Sequence, residues 1–192
     1  MTTTAVSTPT EIAVPGYIAG RWAIDPVHSD VSFSVRHMMV TKVRGHFREF
    51  EGELVTGADP RDSQVTATIQ VASVDTNNEG RDNHVRSGDF FDAAAHPTAT
   101  YRATGLVLED GESVLNGELT LRGVTKQVPL LVEANGFAVD PQGATRAGFT
   151  ARGKFNRRDF GVSFGSTTDG VALLGDAIDL SLEIQAVLQP AA

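Results

Sequence analysis

The sequence predicts an all-β fold, an antiparallel barrel of about eight strands with one short helix near one end. Three observations carry the prediction. About nine runs alternate apolar and polar residues with period two. Turn-forming residues separate these runs at fairly regular spacing, and only one stretch has a helical pattern. Strands with one apolar face each must bury those faces against one another, in a sandwich or a closed barrel, and closure is favoured because it leaves no exposed edge.

The first run, Tyr17 to Ile24, ends at Asp25-Pro26, where proline disfavours continued pairing. Asp30 to His37 then places Val31, Phe33, Val35 and His37 on one face and Ser32, Ser34 and Arg36 on the other. Val43 to Thr56 is too long to stay straight. Its apolar markers change parity between Phe47 and Phe50, so a bulge is expected near Arg48-Glu49. In Gln64 to Asp75, the residues Val65, Ala67, Ile69 and Val71 go inward. Pro97 to Val107 leads to Asp110-Gly111, a strong hairpin signal. Beyond it, Val114 to Leu121 points Leu115, Gly117, Leu119 and Leu121 one way, and Arg122-Gly123 turns the chain into Val124 to Ala134. Ala144 to Phe155 contributes Phe149, Ala151, Gly153 and Phe155, and Asp176 to Leu188 contributes Ile178, Leu180, Leu182 and Ile184.

The exception is Asp75 to Asp92. Thr76 with Glu79 three residues on reads as a capping box, and Gly88 as the stop, predicting a helix over about 77–87. Arg81, His84 and Val85 then share a face. Phe90-Phe91 would anchor the element to a core. One reading is a lid closing one end of a cavity; the other is a connector whose Arg and His brace neighbouring loops.

Composition narrows the functional classes. The 192 residues suit one domain, with a mobile Thr/Ser-rich tail over residues 1–15 and a barrel over 16–189. The absence of cysteine excludes disulfides and thiol chemistry. A net charge of −8 argues against nonspecific nucleic-acid binding. The basic alternation Lys42, Arg44, His46 and Arg48 reads as a solvated strand face opposite Val43 and Phe47. The start lacks the basic and apolar regions of a secretory signal, and no run of about 18 apolar residues occurs, so a cytoplasmic protein without stable membrane insertion is expected.

No motif carries catalysis. Gly161-Val162-Ser163-Phe164-Gly165 matches G-x-S-x-G, but the loop-like Ser166-Thr167-Thr168-Asp169-Gly170 follows where a helix is needed, and the last histidine is His96. The five histidines show no metal-ligand spacing. The inward small residues Ala67, Gly117, Ala151 and Gly153 leave two readings open: an incompletely filled apolar interior, or one in which large neighbours interdigitate over them.

Several motifs, taken in order, resemble the YceI-like family of lipocalin-like, polyisoprenoid-binding proteins. They are Trp22 to Ser29, Phe33 to His37, Val43 to Phe47, Arg81 to Val85, Phe90 to Asp92, His96-Pro97, Gly117 to Thr125 and Arg157 to Val162. The resemblance implies an extended eight-stranded lipocalin-like barrel around a long apolar pocket for a polyprenyl or isoprenoid-quinone-like lipid. It often comes with dimerisation, and it implies no catalysis and no cofactor beyond a bound lipid. Phe33, Val35 and Phe47 would line that pocket. The inward rows add Ile69, Val71, Leu119, Phe149 and Phe155, and the anchoring pair adds Phe91. Asp25, His28, His37, Arg81 and His84 would stand at its rim or core, touching the ligand or bracing the barrel. The expected function is noncatalytic lipid sequestration or transport. The alternatives are an enzyme using His84 and Arg81 on a sequestered apolar substrate, and a stress-related structural barrel with a filled interior.

Overall fold

A computed structural model of the chain describes residues 14–165 and 173–190. Most of the expected tail, residues 1–13, lies outside the described residues, as does the Ser166–Gly170 segment. Val14 and Pro15, the end of that tail, are described, and Val14 O accepts a hydrogen bond from Tyr17 N.

Among the described residues twelve strands form one antiparallel sheet. They are β1 (Gly20–Ile24), β2 (Asp30–His37), β3 (Thr41–Phe47), β4 (Phe50–Thr56), β5 (Gln64–Gln70), β6 (Val74–Asp75), β7 (Thr98–Glu109), β8 (Glu112–Leu121), β9 (Val124–Gln127), β10 (Leu130–Val139), β11 (Thr145–Asn156) and β12 (Leu174–Leu188). Four pairs are single strands with an interruption. β1 and β2 both run along β12, Trp22 opposite Leu188 and Val35 opposite Ile178. In the same way β3 and β4 run along β2 and β1, β6 and β5 along β3 and β4, and β9 and β10 along β8. Joined this way, the strands make an eight-stranded up-and-down barrel closed between β1/β2 and β12. Apart from the closing pair, each neighbour in space is a neighbour in sequence, and only two connections are long: residues 76–97, which carry the helix, and residues 157–173.

The predicted hairpins form for the predicted reason. Asp110 and Gly111 both have positive φ between the paired Glu109 and Glu112, and Arg122 and Gly123 do the same between Leu121 and Val124. The parity change after Phe47 is also real. Arg48 and Glu49 leave the ladder, their backbone groups pairing with Ser73 O and Gln70 N, so that Phe47 and Phe50 can both face inward.

The helix, α1 (Glu79–Arg86), is shorter than expected and differently capped. Asn78, not Thr76, is the N-cap, its Oδ1 accepting from Arg81 N at 2.9 Å. Thr76 instead gives its N–H (2.8 Å) and hydroxyl (2.6 Å) to Asp82, which is buried. At the other end the extended residue is Ser87 rather than Gly88; its N–H and Oγ both donate to His84 O. Arg86 ties the helix to the sheet through Ala72 O and Val74 O.

Two cores hold the barrel. One spans β7 to β11 and the 3-10 turn that follows, and includes Tyr101, Leu121, Val128, Leu130 and Phe160. The other, at the β12 C-terminal end, centres on Trp22, fully buried beside Ala147 and Ala186, with its indole N–H on Thr56 Oγ1 at 2.9 Å. No described helix is long and apolar enough to cross a membrane.

Candidate functional site

The barrel is not filled. Inward residues from all around it enclose a cavity of about 680 Å³, inside the range of small-molecule sites. β2 supplies Val31, Phe33 and Val35; β12 supplies Ile178, Leu180, Leu182 and Ile184. The walls therefore follow directly from the period-two alternation of these strands. A barrel with a filled interior is thereby corrected. The interdigitation reading still holds locally: a Cβ at Gly45 would meet the Phe33 ring, at Gly117 the Tyr101 phenol, and at Gly153 the Leu130 side chain. These glycines let large groups fold flat against the wall, leaving the centre open.

Of the residues expected to bind ligand, Phe33, Val35, His37, Phe47, Ile69, Arg81, His84, Phe91, Leu119, Phe149 and Phe155 all line this cavity. Val71 does not. The strand breaks there into a 3-10 turn, Val71–Ser73, so the two-residue period ends at Gln70 and Val71 packs into the protein core instead.

The helix stands at one end of the cavity. Phe91 enters the lumen and packs on Phe47 (ring centroids 5.7 Å apart) and Phe33 (6.3 Å). Its neighbour Phe90 stays at the rim with His84 and Phe164, whose rings meet edge to face at 4.7 Å. Among the lining residues, Thr41, Arg81, His84 and Phe164 are exposed at this end, so the cavity reaches the surface here. Arg81 donates from Nε and one terminal nitrogen to Thr76 Oγ1 and O, both at 2.7 Å. It has no carboxylate partner among the described residues. His84 Nε2 lies 2.9 Å from Asp89 Oδ2.

Asp25 and His28 lie elsewhere and act as a brace. Asp25 Oδ2 meets His28 Nδ1 and Arg146, each at 2.8 Å, and Arg146 also reaches Asp140 at 2.5 Å. The cluster pins the interruption between β1 and β2 to the β10–β11 turn. The bond to His28, helped by Arg146 and the Val27 N–H, holds the Asp25 carboxyl down to about 2 against its partial burial.

Sequence reasoning missed Arg157. It is buried, and its guanidinium donates to Val162 O, Phe164 O and Gly175 O at 3.1, 2.7 and 2.9 Å, with Asp176 at 3.2 Å. It thereby fixes the loop that carries Phe164, and burial pulls it below its ordinary pKa. Its motif, Arg157 to Val162, is visible in the sequence, but its carbonyl partners are not. Gly161 to Gly165 forms part of this loop, directly after a 3-10 turn. Among the described residues no group of three or more His, Asp or Glu could hold a metal ion.

The YceI-like domain pattern matches residues 22–186, almost the whole barrel. Protein YceI of Escherichia coli O157:H7 is 37% identical over 166 residues, covering 84% of this chain and 83% of its own length. Among solved structures, BcnA of Burkholderia cenocepacia superposes with a TM-score of 0.70 at 25% identity, over 84% of this chain and 98% of its own. A polyisoprenoid binding domain from Saccharophagus degradans shares the fold alone, with a TM-score of 0.69 at 13% identity, over 90% of this chain and all of its own. The chain belongs to the YceI-like family.

Proposed function

We propose that this protein binds a polyisoprenoid or isoprenoid-quinone-like lipid in the barrel and sequesters or carries it without chemical change. The observation that carries the reading is the continuous apolar cavity, whose walls come from nearly every strand. Burial of apolar chain contributes about 0.8 kcal/mol per methylene, so a prenyl tail binds well without polar help. The Saccharophagus domain of the same fold is described as polyisoprenoid binding, which agrees. At the open end, Arg81 and His84 would meet the lipid's polar head while the tail lies along Phe33, Phe47 and Phe91. Hydrogen bonds already hold Arg81 and His84 in place, which suits a rim that orients a head group better than one that moves protons. The test is mass spectrometry of an organic extract of the purified protein. A prenyl lipid in near-stoichiometric amount is expected; no lipid in the extract and no uptake of a prenylated probe would refute the reading.

A further inference from the structure

We propose that the tip of the β2–β3 hairpin, with Phe164 beside it, docks the open end of the barrel onto an anionic lipid bilayer. This deepens the carrier reading, on which it rests, by naming the surface the lipid comes from. Three independent features meet at this tip.

The first is its composition. Met38, Met39 and Val40 are 48%, 59% and 78% exposed, an apolar tip where hairpins usually carry polar turn residues. Met38 and Met39 both have positive φ, the conformation for which Asn-Gly is preferred and which a Cβ makes costly. The chain thus holds two flexible apolar side chains at a strained turn, as functional sites do. The second is position. His37 and Thr41, which flank the tip, line the cavity, and Met38 N donates to Leu173 O in the same rim. Phe164, also exposed, adds a further apolar group.

The third is charge. The outward residues Arg36 and Arg44 have no carboxylate partner among the described residues. Lys42 and Lys154 share one acid, Asp179, and Arg157 and Arg158 share Asp176. Among the described residues this end is therefore locally positive, even with Asp89 at the rim beside His84, on a chain of net charge −8, so an anionic surface attracts it and repels the rest. A second copy of the chain would bring the same positive end, which disfavours tip-to-tip pairing. A small apolar tip with cations behind it suits shallow insertion at the headgroup level.

The test is flotation of the full chain with phosphatidylcholine vesicles, with and without phosphatidylglycerol. Partition onto the phosphatidylglycerol vesicles is expected, weakening as salt rises. Met38→Asn with Met39→Gly supplies the residues the turn prefers, so folding is preserved, and should lower partition by roughly tenfold. Arg36→Gln with Arg44→Gln should lower it by about fivefold per charge and flatten the salt dependence. Uptake of a prenylated fluorescent probe from detergent micelles should be unchanged in both variants. Equal partition onto both kinds of vesicle, full binding by the variants, or a change in oligomeric mass in place of vesicle binding would overturn the proposal. Tip-dependent vesicle binding without uptake of the probe would instead overturn the carrier reading and leave the docking surface standing.

Discussion

The Tyr101 ring lies across Gly117 on the neighbouring strand and fills the space a side chain there would occupy. Its hydroxyl donates to Val128 O at 3.0 Å, and burial pushes its pKa upward. Gly117→Ala must displace the ring, and is expected to destabilise the barrel by about 1–3 kcal/mol. Chemical denaturation measures this, and an unchanged midpoint would show that the ring is not held against the wall.

Val132 lines the cavity and packs on one side against the barrel core. Val132→Trp should occupy space the ligand needs, at a packing cost of about 1–3 kcal/mol that leaves the barrel folded. Uptake of a prenylated probe should fall by roughly tenfold, the loss of about two buried methylenes. Full uptake by this variant would place the ligand elsewhere.

The Asp25 carboxyl titrates at about 2 when folded, below its ordinary 3.8. Its contribution to stability is therefore present above pH 3.8 and lost as pH falls toward 2, because the unfolded chain takes up the proton first. Asp25→Asn should lower stability at neutral pH and reduce the acid dependence across that window. Denaturant midpoints at several pH values give the comparison; parallel curves for the two proteins would contradict the brace.

Arg157 joins the Phe164 loop to the start of β12 through carbonyl oxygens alone and one shared acid. Arg157→Met removes these bonds and leaves the oxygens unpaired, with a cost of about 2–4 kcal/mol. Hydrogen exchange should accelerate first at Gly161 to Gly165. Uniform loss of protection across the barrel would indicate a global role instead.

The barrel was legible because period-two alternation is a local signal. Val31, Phe33, Val35 and His37, and Ile178, Leu180, Leu182 and Ile184, face inward as the pattern requires, and Asp110-Gly111 and Arg122-Gly123 turn as their residue types dictate. What failed depended on contacts between distant segments. Val71 left the lumen because the chain turns at Val71–Ser73, with Val74 N closing the turn on Val71 O, which ends the strand early. Thr76 and Asn78 are both competent caps by type; the buried carboxylate of Asp82 decided between them by taking the Thr76 hydroxyl. Gly88 was not needed as a stop because Ser87 satisfies His84 O with both its donors. The brace role of Asp25 and His28 depends on Arg146, 121 residues later in the chain, and no spacing rule reaches that far. The cavity's volume was the least legible feature, since whether Gly117 and Gly153 leave space or admit a neighbour depends on how Tyr101 and Leu130 fold against the wall.

The central claim is that the barrel's interior takes up a long apolar chain, and calorimetric titration with prenyl alcohols of increasing length tests it most directly. Affinity should rise with each added isoprene unit until the cavity is full and then level off. No binding at any length, or an affinity indifferent to length, would contradict it.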